Sequence, residues 1–499
     1  MRACCAQIIA LMVLMLPLAG SAHVNSPDVY YDGNAGPYHV LVTIRPPAVV
    51  PGIAQIQIRS AANDVDKIEI LPLKMTGAAA KLAPKADTTE RSSSDPQLFT
   101  GNLWIMERGS WKIEVLVSGT NGSGELAVPL PAVSASSATM QPALGGLLAF
   151  LGFALVAGVV GIIGAAGREA SLEPGQEPTP VQKNRAWRRM GISSVCLIAV
   201  LAAANYWWGL DARANARLNY RMPHVQSSLM AGNVLQLQLD NPNTVKDMFE
   251  PAAVDRIKRF NVQIPDLPRL DDLIPDHGHI MHLFLVSMPD MKSFWHLHPA
   301  QASEGRFTEN LPGIPAGHYQ IYADIVHKTG FPETQVGTLD LPSISGAPLS
   351  GDDSGGPDLT ATGDIAQLSD GYRMVWERDQ QPLKANQPVW FRFHVEDKDG
   401  KPADLEDYMG MAGHAAFIST DGNIFAHVHP AGSVSMAAAA LAEGSYPKQE
   451  MAGMRMHATN GEVSFPYGFP QAGDYHIFVQ VRRGGHIETG AFLAHVEAK

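Results

Sequence analysis

The sequence predicts a mainly β protein, in which exported β-sandwich domains are joined by a hairpin of two transmembrane helices. Two uncharged apolar stretches lie mid-chain, and short runs of alternating polar and apolar residues lie on both sides of them. The 499 residues are 45% hydrophobic and 17% charged, which excludes a disordered chain. The formal net charge of −12 argues against a nucleic-acid partner, because nucleic-acid-binding proteins normally carry a basic face.

Residues 1–22 have the pattern of a secretory signal peptide. Arg2 precedes an apolar stretch from Ile8 to Leu18, and the small residues 20–22 form a cleavage site. Cleavage there would make His23 the first residue of the mature chain. The three cysteines offer neither a disulfide framework nor a thiolate metal site, because two lie at the extreme N-terminus and Cys196 lies in an apolar stretch.

The stretches 143–167 and 190–210 contain no charged residue, and each is long enough to cross a bilayer as a helix. The segment 168–189 between them contains five basic residues, which indicates a cytoplasmic loop. We therefore expect a protein of the inner (cytoplasmic) membrane, with its N-terminal and C-terminal domains in the periplasm.

The exported segment 23–142 contains runs with the two-residue period of β-strands, such as 38–44, 54–58 and 111–115. Proline and glycine clusters separate these runs. Many short strands with frequent turns favour a β-sandwich of the Ig-like or cupredoxin-like kind.

The region after the second apolar stretch contains an internal repeat. One copy, in 220–342, reads His282, a turn, and Phe-Trp-His-Leu-His-Pro ending at Pro299. The other, in 360–499, reads His414, a turn, and Phe-Ala-His-Val-His-Pro ending at Pro430. Residues 343–359 are rich in Gly, Ser, Pro and Asp and form the expected linker between two similar β-sandwich domains.

The spacing of the histidines predicts that each copy gathers three imidazoles on a β-hairpin. In the second copy, Asp421-Gly422 is a strong signal for a two-residue turn, which places His414 opposite His429. In the first copy the two outer histidines are 16 residues apart instead of 15, and a three-residue turn at 289–291 restores the register. Residues two apart on a strand share a face. The predicted groups are His282, His296 and His298, and His414, His427 and His429.

Neutral imidazole is a ligand for copper, zinc, nickel and iron. Methionines near the second group favour copper, since thioethers are soft ligands that suit Cu(I). We therefore expect copper, with zinc as the alternative, and the expected additional ligands are Met409, Met411, Met454, Met456 and His457. A mature N-terminal His23 would offer its amine and ring nitrogens to a further Cu(II) ion. The methionines could instead serve in apolar packing. His277 and His279 are either further metal ligands or residues of an exposed loop.

The two hairpin motifs resemble those of the exported YtkA-like proteins, which are related in fold to the periplasmic CopC-type copper-resistance proteins. The resemblance covers mainly the two C-terminal domains and implies small β-sandwiches that bind copper. His23 after the signal peptide matches the N-terminal copper ligand of the copper-resistance proteins. The order of signal peptide, N-terminal histidine, β-domain, two spans and β-domain is also similar to the copper-bearing subunit of particulate methane monooxygenase.

No nucleophile elbow, phosphate loop or His-Glu-x-x-His motif occurs in the sequence, so we do not predict an enzyme. The leading hypothesis is a membrane-anchored periplasmic copper-binding protein that serves storage, delivery or resistance, with an envelope metal-transport or respiratory partner. Two alternatives stay open. One is a metal-free envelope scaffold or interaction protein, and the other is a copper oxidoreductase subunit with His23 at its metal site.

Overall fold

The computed structural model describes residues 28–76, 84–173, 175–244, 248–249, 251–259, 268–361, 363–379, 381–447 and 460–499. The described chain is mainly β, as the sequence predicts, with two long apolar helices. It divides into two compact units. One comprises Met1–Ala132, Arg221–Thr244 and Gln263–Lys499, and the other comprises Val133–Tyr220 and Val245–Val262.

The N-terminal β region contains two sheets, with strand orders β1-β2-β3-β7-β6 and β5-β4-β8-β9. Apolar side chains of both sheets, such as Val42 and Ile113, alternate inward and share one core. The strands are β1 (Val29–Ala35), β2 (Tyr38–Arg45), β3 (Gly52–Ser60), β4 (Val65–Lys74), β5 (Asp87–Thr88), β6 (Glu90–Arg91), β7 (Leu98–Ile105), β8 (Gly109–Gly119) and β9 (Gly122–Ala132).

Two helices, α1 (Pro142–Glu169) and α2 (Pro180–Arg217), are long and apolar enough to cross a membrane. Helix α2 begins ten residues before the predicted apolar stretch, because Thr179 and Gln182 form a capping box at its start. The helices approach closely at Gly164, where an added Cβ would lie 2.5 Å from Sδ of Met190. Because α2 begins at Pro180, residues 180–189 of the basic segment 168–189 form its first turns.

The first ten strands after α2, β10 to β19, form one sheet. Its order is β15-β16-β11-β10-β18-β17-β13-β14-β19, with β12 beside β17. The elements are β10 (His224–Met230), β11 (Val234–Asp240), helix α3 (Pro251–Arg259), β12 (Leu273–Ile274), β13 (Met281–Met288), β14 (Phe294–Leu297), β15 (Ala300–Ser303), β16 (Arg306–Asn310), β17 (Gly317–His327), β18 (Pro332–Leu341) and β19 (Ser354–Gly356).

The last part of the chain forms two sheets, with orders β20-β21-β23-β26 and β22-β28-β27-β24-β25. Phe391 and Phe417 belong to the core that both sheets share. The elements are β20 (Ile365–Gln367), a 3₁₀ helix (Ser369–Gly371), β21 (Arg373–Glu377), β22 (Leu383–Lys384), β23 (Val389–Glu396), β24 (His414–Ser419), β25 (Phe425–Val428), helix α4 (Met436–Glu443), β26 (Glu462–Tyr467), β27 (Gly473–Arg483) and β28 (His486–Glu497).

The two histidine-bearing hairpins, β13–β14 and β24–β25, pack against each other through aromatic side chains. Tyr322 stacks on Phe425, and Phe294 stacks on Phe478, each with ring centroids 4.3 Å apart. Each stack joins one hairpin to the long strand beside the other hairpin. The repeated sequence thus produces a repeated interface.

The N-terminal β region binds the loop that follows β25. The amide of Asp32 donates to the carbonyl of Ala431 at 2.8 Å, and the amide of Ser433 donates to the carbonyl of Tyr30 at 3.0 Å. Val434 lies in the apolar core of the N-terminal β region. This region therefore holds in place the loop that begins at the end of the second hairpin.

Gly432 lies at this contact with φ +117, and an added Cβ would lie 2.0 Å from the carbonyl oxygen of Tyr30. We expect Gly432→Ala to lower the melting temperature, with an overpacking cost of about 1–3 kcal/mol. The matched control is Gly122→Ala, because Gly122 has φ +108 and no atom within 4 Å of its added Cβ. Equal thermal unfolding of the two variants would show that the contact with Tyr30 does not constrain Gly432.

His327, at the end of β17, is fully buried between two carboxylates. Its Nδ1 is 2.6 Å from Oδ1 of Asp272, and its Nε2 is 3.5 Å from Oε2 of Glu333. Burial by itself would lower the pKa of His327, but the hydrogen bonds to Asp272 and Glu333 outweigh it and raise the pKa from 6.5 to about 9. The protonated ring therefore stabilises the folded chain.

Because the folded chain raises the pKa of His327, we expect the free energy of unfolding to decrease in alkaline solution. The contribution of His327 is complete below pH 6.5 and disappears as the pH rises through about 9. Its size is on the order of 3 kcal/mol. Thermal unfolding between pH 6 and 10 should show a smaller alkaline decrease in His327→Gln than in the wild type. The exposed His318 provides the control His318→Gln, and identical pH profiles for all three proteins would refute the assignment.

Candidate metal centre

The β-ladders have the register that the turns predict. Leu283 pairs with Leu297, and Ala415 pairs with Val428, so the predicted histidine partners directly follow the last ladder pair of each hairpin. The backbone of Ser419 bonds to Ile424 around the predicted Asp-Gly turn.

Each hairpin gathers three imidazoles. The first triad is His282, His296 and His298, and the second triad is His414, His427 and His429. One ring nitrogen from each member lies within 4.8 Å of those from the other two members. The rings are almost completely removed from solvent, with His296 at 0% exposure and His414 at 1%.

Each histidine of the first triad has one ring nitrogen that points away from the other two rings. An oxygen acceptor lies opposite that nitrogen. The acceptors are a backbone carbonyl, a side-chain amide oxygen and a carboxylate. His282 Nε2 lies 3.1 Å from the carbonyl oxygen of Asp276, His296 Nδ1 lies 3.0 Å from Oε1 of Gln480, and His298 Nδ1 lies 2.9 Å from Oδ1 of Asp353.

The second triad repeats this arrangement, with two backbone carbonyls and one carboxylate as the facing acceptors. His414 Nε2 lies 3.2 Å from the carbonyl oxygen of Tyr408, His427 Nδ1 lies 3.4 Å from Oδ2 of Asp324, and His429 Nδ1 lies 3.1 Å from the carbonyl oxygen of Val434.

These acceptors decide which ring nitrogen carries the proton. A neutral imidazole has one N–H and one lone pair, so an outer nitrogen that donates to oxygen leaves the inner nitrogen with the lone pair. The inner nitrogens of His282 and His296 are 3.0 Å apart, and those of His414 and His427 are 3.2 Å apart. With these tautomers, two lone pairs at this distance repel each other unless a proton or a metal ion lies between them. Two ligands about 2.0–2.1 Å from a tetrahedral metal would be about 3.3 Å apart.

Burial keeps the rings neutral. It lowers the pKa of His282 to about 4 and that of His429 to about 3. Burial also holds the pKa of His296, His414 and His427 well below the usual range. A shared proton is therefore disfavoured, and the lone pairs are available to a metal at neutral pH.

Within the histidine cluster, three buried ring nitrogens have no hydrogen-bond partner among the described residues. They are Nε2 of His277, His298 and His429. Nδ1 of His277 lies 2.9 Å from the carbonyl oxygen of Met409, so its Nε2 also carries a lone pair. A buried acceptor without a partner costs free energy, which coordination of a cation would recover.

His277 and His279 belong to the cluster, whereas sequence reasoning left them outside the predicted site. His277 is 5.0 Å from His429 between ring centroids, and His279 is 3.9 Å from His298. The missed signal is that the repeat begins earlier than His282. His277 and Met409 each lie five residues before the first histidine of a triad, both with φ near +50° (51° and 52°), inside equivalent backbone bridges.

The expected methionine ligands are not gathered in the same way. Met411 is buried in the apolar core shared with the N-terminal β region, which is the alternative role of such residues. The backbone carbonyl of Met409 accepts the hydrogen bond from His277. His23, Met454, Met456 and His457 lie outside the described residues.

The comparisons with known proteins are sparse. A family model described as a domain of unknown function (DUF8832) matches residues 366–498. No curated protein matches the chain.

Similar solved structures include latent PorU from Porphyromonas gingivalis, at 9% identity and a TM-score of 0.14 over 90% of this chain and 32% of PorU. Activated alpha-2-macroglobulin of Escherichia coli is 10% identical, with a TM-score of 0.17 over 91% of this chain and 31% of the macroglobulin. The chain thus spans about a third of the length of either protein. TM-scores this low carry no argument about fold or function.

Proposed function

We propose that this chain is a membrane-anchored copper-binding protein of the bacterial periplasm, which stores, delivers or detoxifies copper through its two histidine triads. The protein in this proposal is not an enzyme. Its two β-sandwich repeats present the triads, and an envelope metal-transport or respiratory protein is its partner.

One observation carries the proposal. In each triad, the outer ring nitrogens face oxygen acceptors, so that the inner nitrogens converge with their lone pairs exposed to one another. Histidines that bind metals almost always donate their second nitrogen to a carbonyl, a carboxylate or water. Histidines with a purely structural role would instead place a donor opposite each acceptor.

The ligand set supports copper over zinc. Imidazole binds both metals, but the affinity of nitrogen ligands for divalent ions rises to a maximum at Cu²⁺. The cysteine-poor composition also suits an oxidising compartment, where thiols would be lost to disulfides. With Met411 in an apolar core, the argument for copper rests on the imidazoles.

The membrane arrangement follows from the two apolar helices and the charges between them. Arg168 lies in the last turn of α1, and the basic residues Lys183, Arg185, Arg188 and Arg189 lie in the first turns of α2. Positive charge next to short membrane hairpins stays on the cytoplasmic side. In this proposal both triads therefore face the periplasm.

Copper retention by the full-length protein in detergent tests the proposal. After loading with Cu(II) and removal of excess metal, we expect His427→Ala/His429→Ala to retain at least one copper ion fewer per chain than the wild type. The measurement is metal analysis by mass spectrometry, with zinc as a competing ion.

The control pair is His224→Ala/His486→Ala, which removes the same number of histidines from exposed positions on other strands. This variant should retain the wild-type amount of copper. Equal copper in the wild type and both variants would contradict the proposal. Because a ligand that binds only the folded state raises its stability, an unchanged melting temperature with copper would favour the metal-free scaffold.

A further inference from the structure

The two triads do not lie in separate sites. The ring centroids of His282 and His427 are 5.4 Å apart, and those of His296 and His427 are 5.5 Å apart. Within the triads, His282 and His296 are 5.3 Å apart, and His414 and His427 are 5.4 Å apart. Rings from opposite hairpins are thus as close as rings from the same hairpin.

The acceptors that orient the central histidines cross between the repeats. His296 of the first triad faces Gln480, which lies on β27 opposite His414. His427 of the second triad faces Asp324, which lies on β17 opposite His282. The strand beside each triad therefore orients a ring of the other triad.

Gln480 is held for this role by further bonds. Its Nε2 donates to Oγ of Ser354 at 2.6 Å and to Oγ1 of Thr489 at 3.3 Å, which directs Oε1 toward His296. On the opposite side, the hydroxyl of Thr334 donates to Oδ1 of Asp324 at 2.5 Å. Both crossing acceptors are thus positioned before any metal binds.

His277 connects the two groups. Its ring centroid lies 6.1 Å from that of His282 in the first triad and 5.2 Å from that of His414 in the second. The ligand atoms of His277, Asp276 and His429 lie within 4.8 Å of one another. The buried Nε2 of His277, which has no partner among the described residues, is therefore available next to the second triad.

We propose that the two triads form one dinuclear copper centre between the repeats, with the first triad holding one ion, the second triad holding the other, and His277 as an additional ligand beside the second. This inference rests on the proposed copper binding. Two Cu(II) ions a few ångströms apart interact magnetically, whereas ions in separate sites do not.

Electron paramagnetic resonance of the full-length protein in detergent tests the magnetic interaction. After two equivalents of Cu(II) are bound and chelation has shown that no Cu(I) is present, we expect coupled spins, seen as a transition at half field or as a loss of integrated signal. The variant His282→Ala/His298→Ala should bind one copper ion fewer, with a signal that accounts for all of it.

Two bound ions with full intensity and no half-field transition would overturn the dinuclear centre and leave the proposed copper binding intact. One bound ion with full intensity in the wild type would do the same. Absence of any bound copper would overturn both proposals.

The crossing acceptors give a second test, in which Gln480 is a positioning residue. In a His427→Ala/His429→Ala background, where only the first triad remains, Gln480→Ala should weaken copper affinity about 10- to 100-fold. Gln480→Glu, which retains an acceptor oxygen, should restore most of it. In a His282→Ala/His298→Ala background, Gln480→Ala should weaken the affinity of the second triad much less.

The exposed Gln301 supplies the control Gln301→Ala, which should leave both affinities unchanged. Equal losses of affinity in the two triad backgrounds, or a larger loss at the second triad, would overturn the crossing arrangement. Circular dichroism of each variant verifies that the folded state is retained.

Discussion

The site depends on one constraint: the outer nitrogen of every triad histidine faces an oxygen atom, and five of the six are hydrogen-bonded to it. Backbone carbonyls of Asp276, Tyr408 and Val434 are the partners of three rings, and side-chain oxygens face the other three. Where the outer nitrogen donates to its acceptor, the lone pair of the neutral ring points inward. The hydrogen bonds offset the cost of burying these histidines and orient them as a metal site would require.

The apolar surroundings complete this arrangement. Phe284 stacks on His296 with ring centroids 4.3 Å apart and lies 5.0 Å from the ring of His427. These contacts exclude water and hold the rings, while the low polarity of the site keeps the imidazoles uncharged. The aromatic core between the hairpins therefore determines both the position and the protonation state of the ligands.

The hairpins and their register could be predicted from the sequence, because they depend on local signals. The turn at Asp421-Gly422 and the two-residue period of the strands together determine which histidines share a face. The meeting of the two triads could not be predicted, since it depends on how two sheets pack over a long sequence separation. The same limit applies to Gln480 and Asp324, which have no metal-binding signature of their own. Each lies far along the sequence from the histidine that it faces.

The two copies of the repeat differ in the loop before the first histidine of each triad. As a result, the two loops make different contacts. In the first copy, Asp276 and His277 reach the second triad, and Asp276 also accepts the amide of Ala437 at the start of α4. In the second copy, the equivalent loop contains Met409 and Met411, and Met411 enters the core of the N-terminal β region. One loop thus adds polar groups to the cluster, and the other packs against the N-terminal β region. An internal duplication can carry both functions because the loop lies outside the β-ladder, where its side chains change without altering the register of the hairpin.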